Sequence, residues 1–79
     1  MTEPLRYSIV IQWSDEDEAY LVTLPEWNDR YQNPVTHGES YHEALANALE
    51  VLTMFVDIAT ERGESLPVPA GSAPTTSVA

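Results

Sequence analysis

The sequence predicts an α+β fold, an antiparallel three-stranded sheet with one long helix packed on one face, in the order β-β-β-α. Three observations support this prediction. Residues 40–63 carry the only long helical pattern, in which apolar side chains recur every three or four positions. Residues 6–13 and 18–24 alternate apolar and polar side chains, as half-buried strands do. An acidic run separates these two segments, so we expect them to form a hairpin.

The first two strands are predicted to pair across a loop at residues 14–17, which places Ile11 opposite Tyr20. The opposite face of the hairpin is weakly apolar, with Val10 across from Leu21. The strongly apolar face, which we expect the helix to cover, collects six side chains: Tyr7, Ile9, Ile11, Tyr20, Val22 and Leu24.

A polar loop at residues 26–34 follows the second strand, which Pro25 ends because proline cannot donate to a ladder. Two aromatic residues, Trp27 and Tyr31, interrupt this loop. They could fold back as a lid on an open edge of the core. Alternatively, they could anchor a partner, because tryptophan and tyrosine are frequent in interface hot spots. Small-molecule binding under the loop is a third hypothesis.

The long helix has clear start and stop signals. A short third strand, residues 35–37, precedes Gly38. Ser40 and Glu43 match a capping box, in which the serine oxygen accepts from the Glu43 N–H and the Glu43 carboxylate accepts from the Ser40 N–H. Gly63 stands where a helix commonly ends. The residues expected to face the core are Leu45, Leu49, Leu52, Val56 and Ala59, flanked by Ala44, Ala48, Phe55 and Ile58.

The opposite face of this helix carries Glu43, Glu50, Asp57 and Glu64 at seven-residue spacing, with Glu61 close by. Such an acidic stripe is either a solvated face or a docking surface for a cationic partner. Beyond the helix, residues 64–69 have room for a short edge strand, limited by two prolines. We expect residues 1–69 to form one domain and residues 70–79 to be a disordered tail.

Composition excludes several function classes. The formal net charge is −10, with thirteen acidic residues against three arginines and no lysine, so nucleic-acid binding by this chain is not expected. Without cysteine there is no disulfide or thiol chemistry, and a cytoplasmic location is expected.

No apolar run is long enough to span a membrane, and no motif indicates catalysis. The acidic run at 15–18 lacks the glycine and distal glutamate of a calcium loop, and His37 and His42 match no metal-site spacing. We therefore expect no cofactor, metal or enzymatic activity.

Small size favours self-association, because a chain of 79 residues buries a limited fraction of its surface. We expect a homodimer or higher homo-oligomer, formed through the weakly apolar sheet face around Val10 and Leu21 or through an open edge strand.

Several segments resemble the HicB-type antitoxins and their single-domain relatives. The most specific is the run Thr36-His37-Gly38-Glu39-Ser40 continuing into Glu43-Ala44-Leu45-Ala46-Asn47, which looks like the family's T-x-G-D/E-T/S-x-x-E-A-x-x-N signature. The strands and the Leu66-Pro67-Val68-Pro69 segment match in order, over about residues 6–69. Ala19 stands where a glycine is common, and the 26–34 loop replaces the usual compact turn.

The resemblance implies an antitoxin that binds and neutralises a small basic HicA-type ribonuclease toxin, as a dimer or higher oligomer. It implies no catalytic residues and does not fix the toxin-contacting positions. Fuller family members add a DNA-binding domain, which we do not expect here because about ten residues follow Pro69. The partner-binding candidates from the residue pattern are Glu43, Glu50, Asp57, Trp27 and Tyr31. The alternative hypothesis is a solitary self-associating domain with a structural or regulatory role and no toxin partner.

Overall fold

The computed structural model describes residues 6–71 and has the predicted α+β architecture. A three-stranded antiparallel sheet in the order β1-β2-β3 packs against one long helix. A short 3-10 helix lies between the second and third strands. The elements are β1 at Val10–Ser14, β2 at Ala19–Thr23, the 3-10 helix at Pro25–Trp27, β3 at Thr36–Gly38 and α1 at Tyr41–Arg62.

The hairpin register differs from the predicted one by two residues. Ile11 pairs with Val22, not with Tyr20, and the loop occupies residues 15–18. Glu18 has φ 52°, a left-handed turn conformation that removes it from the strand. Because side chains alternate with a period of two, a two-residue shift keeps every side chain on its predicted face.

The ladder between β1 and β2 is shorter than predicted because other groups take its hydrogen bonds. The Ser8 N–H donates to the Glu26 carboxylate at 3.1 Å instead of to a strand. The Leu24 N–H donates to Asn33 Oδ1 at 2.9 Å, and Pro25 has no N–H to offer. Regular pairing therefore ends at Thr23.

The caps of α1 agree with the sequence pattern except at one atom. Ser40 Oγ accepts from the Glu43 N–H at 3.0 Å, and Gly63 ends the helix in the left-handed conformation, φ 69°. The Glu43 carboxylate, however, accepts from the N–H of Glu39 at 2.6 Å, not from that of Ser40. The capping box reaches one residue further back than predicted.

The buried face of α1 is rotated away from the predicted one. Leu45 and Leu49 are 42% and 43% exposed, which corrects the prediction that they face the core. Strand β3 approaches the start of α1 so closely at Gly38 that only small side chains fit between them. The helix residues that are buried are Ala44, Ala48, Leu52, Phe55 and Ala59.

The 26–34 loop contributes the largest buried side chain of the core. Trp27 is 1% exposed and packs edge-on against Tyr7, with ring centroids 5.3 Å apart. Phe55 lies 5.4 Å from the Trp27 ring and stacks on Tyr31 at 3.7 Å. Both aromatics therefore fold back onto the core, as the first of the three alternatives expected.

The segment after α1 forms no strand within the described residues. Side chains hold it instead: the Tyr7 hydroxyl donates to the Pro67 carbonyl at 2.7 Å, and Arg30 donates to the Ser65 carbonyl. The Ala70 N–H donates to the Glu26 carboxylate at 2.8 Å. Prolines at 67 and 69 lack the N–H groups that a ladder needs, which explains why the predicted edge strand is missing. The predicted tail lies outside the described residues from position 72 onward.

Candidate protein-binding surface

The signature residues join β3 to α1 and do not form a site. Gly38 packs against the backbone of Ala44, and the Asn47 side-chain amide donates to the His37 carbonyl at 2.7 Å. Because these contacts join parts of the fold to each other, the motif predicts architecture and does not locate a partner-binding position.

The acidic stripe of the helix faces solvent. Glu43, Glu50 and Asp57 are all exposed, as the seven-residue spacing predicted. Glu64 follows the end of α1 and lies 3.9 Å from both Arg30 and Arg62, which corrects its assignment to the stripe. The carboxylate of Glu43 is partly committed to the helix start through its bond to Glu39. Glu50 and Asp57 are therefore the stripe members whose carboxylates stand free of the helix cap.

Positive charge gathers at the opposite end of the domain from the hairpin loop. Arg30 and Arg62 both approach Glu64, with nitrogen–oxygen distances of 3.9 Å. Arg6 precedes the end of β1 that is remote from the loop. The start of α1 and its end at Arg62 are separated by about 30 Å of helix. The hairpin end is consequently anionic, with carboxylates at residues 15–18 and, among residues 6–71, no arginine nearby.

Exposed aromatic side chains cluster at this anionic end. Trp13 is 51% exposed and packs edge-on against Tyr20 at 5.1 Å. Tyr41, at the first turn of α1, is 64% exposed and lies 4.4 Å from the Tyr20 ring. The indole N–H of Trp13 donates to Asp15 at 2.6 Å, which places a carboxylate at the rim of the cluster.

Two leucines extend this cluster along the helix. Leu45 and Leu49 follow Tyr41 at intervals of four residues, so they lie on the same flank, one turn apart. The Asn47 side chain bonds to β3, so it marks the flank of α1 that faces that strand. Successive helix residues are rotated by about 100°, so Leu45 and Leu49, each two residues from Asn47, point about 160° away from it. They therefore lie on the flank of α1 opposite the one that contacts β3. We call the following set the Trp13–Leu49 surface: Trp13, Tyr20, Tyr41, Leu45 and Leu49.

The outer sheet face carries the two residues predicted for self-association. Val10 is 38% exposed, and Leu21 is half-buried beside an open depression that Ala19, His37 and Asp17 also line. No helix of the described chain covers this face, because α1 packs on the side of Val22. The placement of both residues agrees with the sequence prediction, and self-association itself stays a prediction.

Glu26 connects three distant parts of the chain. Its carboxylate accepts from the N–H and the hydroxyl of Ser8 and from the N–H of Ala70. Burial alone would raise the pKa of Glu26, but these hydrogen bonds outweigh it and hold the pKa below its ordinary value. We assign this carboxylate a structural role, because all of its donors belong to the fold.

Within residues 6–71, the histidine, aspartate and glutamate side chains form no group of three that could hold a metal ion. Over the same residues, no helix combines the length and apolar character needed to cross a bilayer. The indole N–H of Trp27 is buried without a hydrogen-bond partner among the described atoms. It lies in the core and borders neither candidate surface.

Comparisons of the chain with protein-family models, curated proteins and solved structures gave no match. The resemblance to HicB-type antitoxins therefore stays a prediction from the residues quoted above.

The sequence contained a signal for the Trp13–Leu49 surface that periodicity could not resolve. Ala44 and Ala48 repeat at the same interval as Leu45 and Leu49, one position earlier. Hydrophobicity alone favours burying the leucines, whereas the close approach at Gly38 requires the alanines. The signal was Gly38, three residues before the start of α1, followed by Ala44 and Ala48.

Proposed function

We propose that this protein is a HicB-like antitoxin that binds a small basic HicA-type ribonuclease toxin and neutralises it by covering its active surface. Two observations support the proposal. The run from Thr36 to Asn47 resembles the family signature, and the observed β-β-β-α arrangement is the one that the resemblance implies. The protein would act by binding alone.

The separation of charge is the observation that carries this proposal. Within the net charge of −10, Arg30 and Arg62 pair with Glu64 at one end. The carboxylates of the hairpin loop and of the Glu50–Asp57 face pair with no arginine among residues 6–71. Such a field attracts a cationic protein and accelerates its encounter, and it repels nucleic acid. A basic ribonuclease must itself attract RNA, so an acidic protein can compete for the same surface.

Co-purification tests the proposal. The chain is expressed with a tag in its native host and captured at low salt, and a small basic protein should elute with it and dissociate as salt rises. RNA cleavage by the recovered partner should stop when the purified chain is added back in equal amount. If the neighbouring gene encodes no small basic protein and none co-purifies, the toxin partner is excluded.

A self-associating domain without a toxin is the second candidate. The exposed outer sheet face at Val10 and Leu21 favours it, because apolar sheet surface in a small domain is usually covered. Sedimentation should then show a dimer or larger species at micromolar concentration, which Leu21→Ser converts to monomer. A monomeric wild-type chain would contradict this candidate.

A further inference from the structure

We propose that the Trp13–Leu49 surface is the docking site for a cationic amphipathic segment of a partner protein, with apolar side chains on one face and arginine or lysine beside them. The inference rests on the proposed function for the sign of the partner's charge. It goes further in placing contact on Trp13 and on the flank of α1 opposite β3, away from the acidic stripe and from the outer sheet face.

Exposure of large apolar side chains is the first argument. Trp13, Tyr41, Leu45 and Leu49 are each between 42% and 64% exposed, although they are the kinds of residue that small soluble domains bury. Tyr20 joins Trp13 to Tyr41 through ring contacts at 5.1 and 4.4 Å. Leu45 and Leu49 continue the patch from Tyr41, because residues four apart are neighbours on a helix surface. Contiguous apolar patches on soluble proteins commonly mark interaction sites. Aromatic side chains are moreover the usual anchors of such interfaces.

Charge decides the kind of occupant. The carboxylate of Asp15 accepts a hydrogen bond from the Trp13 indole, so it lies at the edge of the exposed ring. A guanidinium or ammonium group stacked on that ring would gain a cation–π contact and sit next to the carboxylate. The other acidic residues of the 15–18 loop strengthen the same potential. The apolar flank at Leu45 and Leu49 would then receive the aliphatic face of the segment.

A second copy of this chain fits the surface poorly. Each copy has a net charge of −10, and pairing through this patch would bring two acidic hairpin ends into one interface. Like charges placed close together disfavour association, whereas a cationic segment removes the repulsion. The arginines of the described chain lie at the far end, where they cannot compensate.

An amphipathic peptide serves as the probe. We would use an amidated helix-forming peptide of about 14 residues with leucine on one face and lysine on the other, and a counterpart in which glutamate replaces lysine. Binding is measured by calorimetry and by tryptophan emission. Because Trp13 is half exposed and Trp27 is 1% exposed, a shift of emission to shorter wavelength reports on Trp13, and Trp13→Phe should abolish it.

Two matched substitutions locate the binding site. Leu49→Ser lies on the proposed surface, whereas Met54→Ser changes a side chain of similar exposure, 50%, on a different flank of the helix. We expect Leu49→Ser and Trp13→Ala to weaken lysine-peptide binding about tenfold or more, and Met54→Ser to change it less than about twofold. Circular dichroism confirms that each variant is folded before binding is compared. The glutamate peptide should not bind.

Each other outcome overturns the inference in a distinguishable way. Equal affinity for wild type and Leu49→Ser, with loss in a Glu50→Lys, Asp57→Lys double variant, would move the site to the acidic stripe and leave the proposed function standing. Sedimentation of wild type as a dimer that Leu49→Ser dissociates would assign the surface to a second copy. Failure of the lysine peptide to bind folded wild type would show that the surface takes no cationic segment, while a basic protein co-purifying with the chain would still support the function.

Discussion

Gly38 of β3 and Ala44 of α1 are in backbone contact: a Cβ atom built on Gly38 would lie 2.7 Å from the Ala44 Cα and 2.9 Å from the Glu43 carbonyl carbon. Both neighbours are main-chain atoms at the start of a capped helix, so they cannot move aside as a flexible side chain would. This contact sets how closely the helix approaches the sheet, and it rotates the alanine face inward.

We expect Gly38→Ala to lower the free energy of unfolding by about 3 kcal/mol, because the added methyl group forces β3 and α1 apart. Urea unfolding followed by circular dichroism measures the change. Gly71→Ala is the matched control, since a Cβ there would meet nothing within 4 Å, and it should alter stability by less than about 0.5 kcal/mol. Similar stability of the two variants would contradict the observed contact.

The rotation of the helix predicts unequal effects for the same chemical change. Leu52→Ala should cost about 3 kcal/mol, because Leu52 is fully buried and its removal leaves a cavity. Leu49→Ala should cost less than about 1 kcal/mol, because Leu49 is 43% exposed. Thermal unfolding of both variants measures the two losses of stability. Equal losses would indicate that Leu49 is buried, as periodicity predicted, and would contradict its observed exposure.

Glu18 closes the hairpin loop with φ 52°, a conformation that costs a side-chain-bearing residue about 1 kcal/mol. Glu18→Gly should therefore raise the free energy of unfolding by roughly 0.5 kcal/mol, after the greater freedom of glycine in the unfolded chain is subtracted. Glu16→Gly, at a loop position without positive φ, should lower it. A loss of stability in Glu18→Gly would argue against the left-handed geometry.

The hydrogen bonds that the Glu26 carboxylate accepts from Ser8 and Ala70, here called the Glu26 clasp, make stability depend on pH in the acid range. Hydrogen bonds from Ala70 and Ser8 hold the pKa of Glu26 below its ordinary value of 4.5 despite partial burial, so the unfolded chain binds the proton more tightly. The clasp is fully present above pH 4.5 and is lost as pH falls through the lower, folded-state pKa. We expect Glu26→Gln to destabilise by about 1 to 2 kcal/mol at pH 7.

Denaturant unfolding of wild type and Glu26→Gln between pH 7 and pH 3 tests this dependence. The stability difference between them should shrink below pH 4.5, since acid removes the same charge from the wild type. If the difference in unfolding free energy between wild type and Glu26→Gln stays constant down to pH 3, the charge of the Glu26 carboxylate does not stabilise these hydrogen bonds.

Removal of one hydroxyl should release the segment that follows α1. Tyr7→Phe deletes the hydrogen bond to the Pro67 carbonyl, worth about 1 kcal/mol, and leaves the ring contact with Trp27. Limited proteolysis should then cut residues 64–70 faster, while global unfolding changes little. Tyr41→Phe, at an exposed ring, is the control and should leave the cleavage rate unchanged.

Local patterns in the sequence determined much of this protein. The alternation in the hairpin assigned every strand residue to its face, because a pairing error of two residues does not change the side-chain period. Serine and glycine at the helix ends placed α1 within one residue, because caps depend on nearby backbone groups. The acidic stripe at Glu50 and Asp57 also followed from spacing alone.

Only the tertiary structure decided which of two overlapping stripes on α1 is buried and where the loop aromatics go. The alanine stripe and the leucine stripe have the same period, and the choice between them depends on the backbone contact of Gly38 with Ala44, which joins two elements. Trp27 enters the core because Tyr7 and Phe55, distant in sequence, meet around it. These contacts join residues that are distant in sequence, so periodicity within a single segment cannot predict them. The exposure of Leu45 and Leu49 on the Trp13–Leu49 surface is a consequence of the alanine stripe being buried.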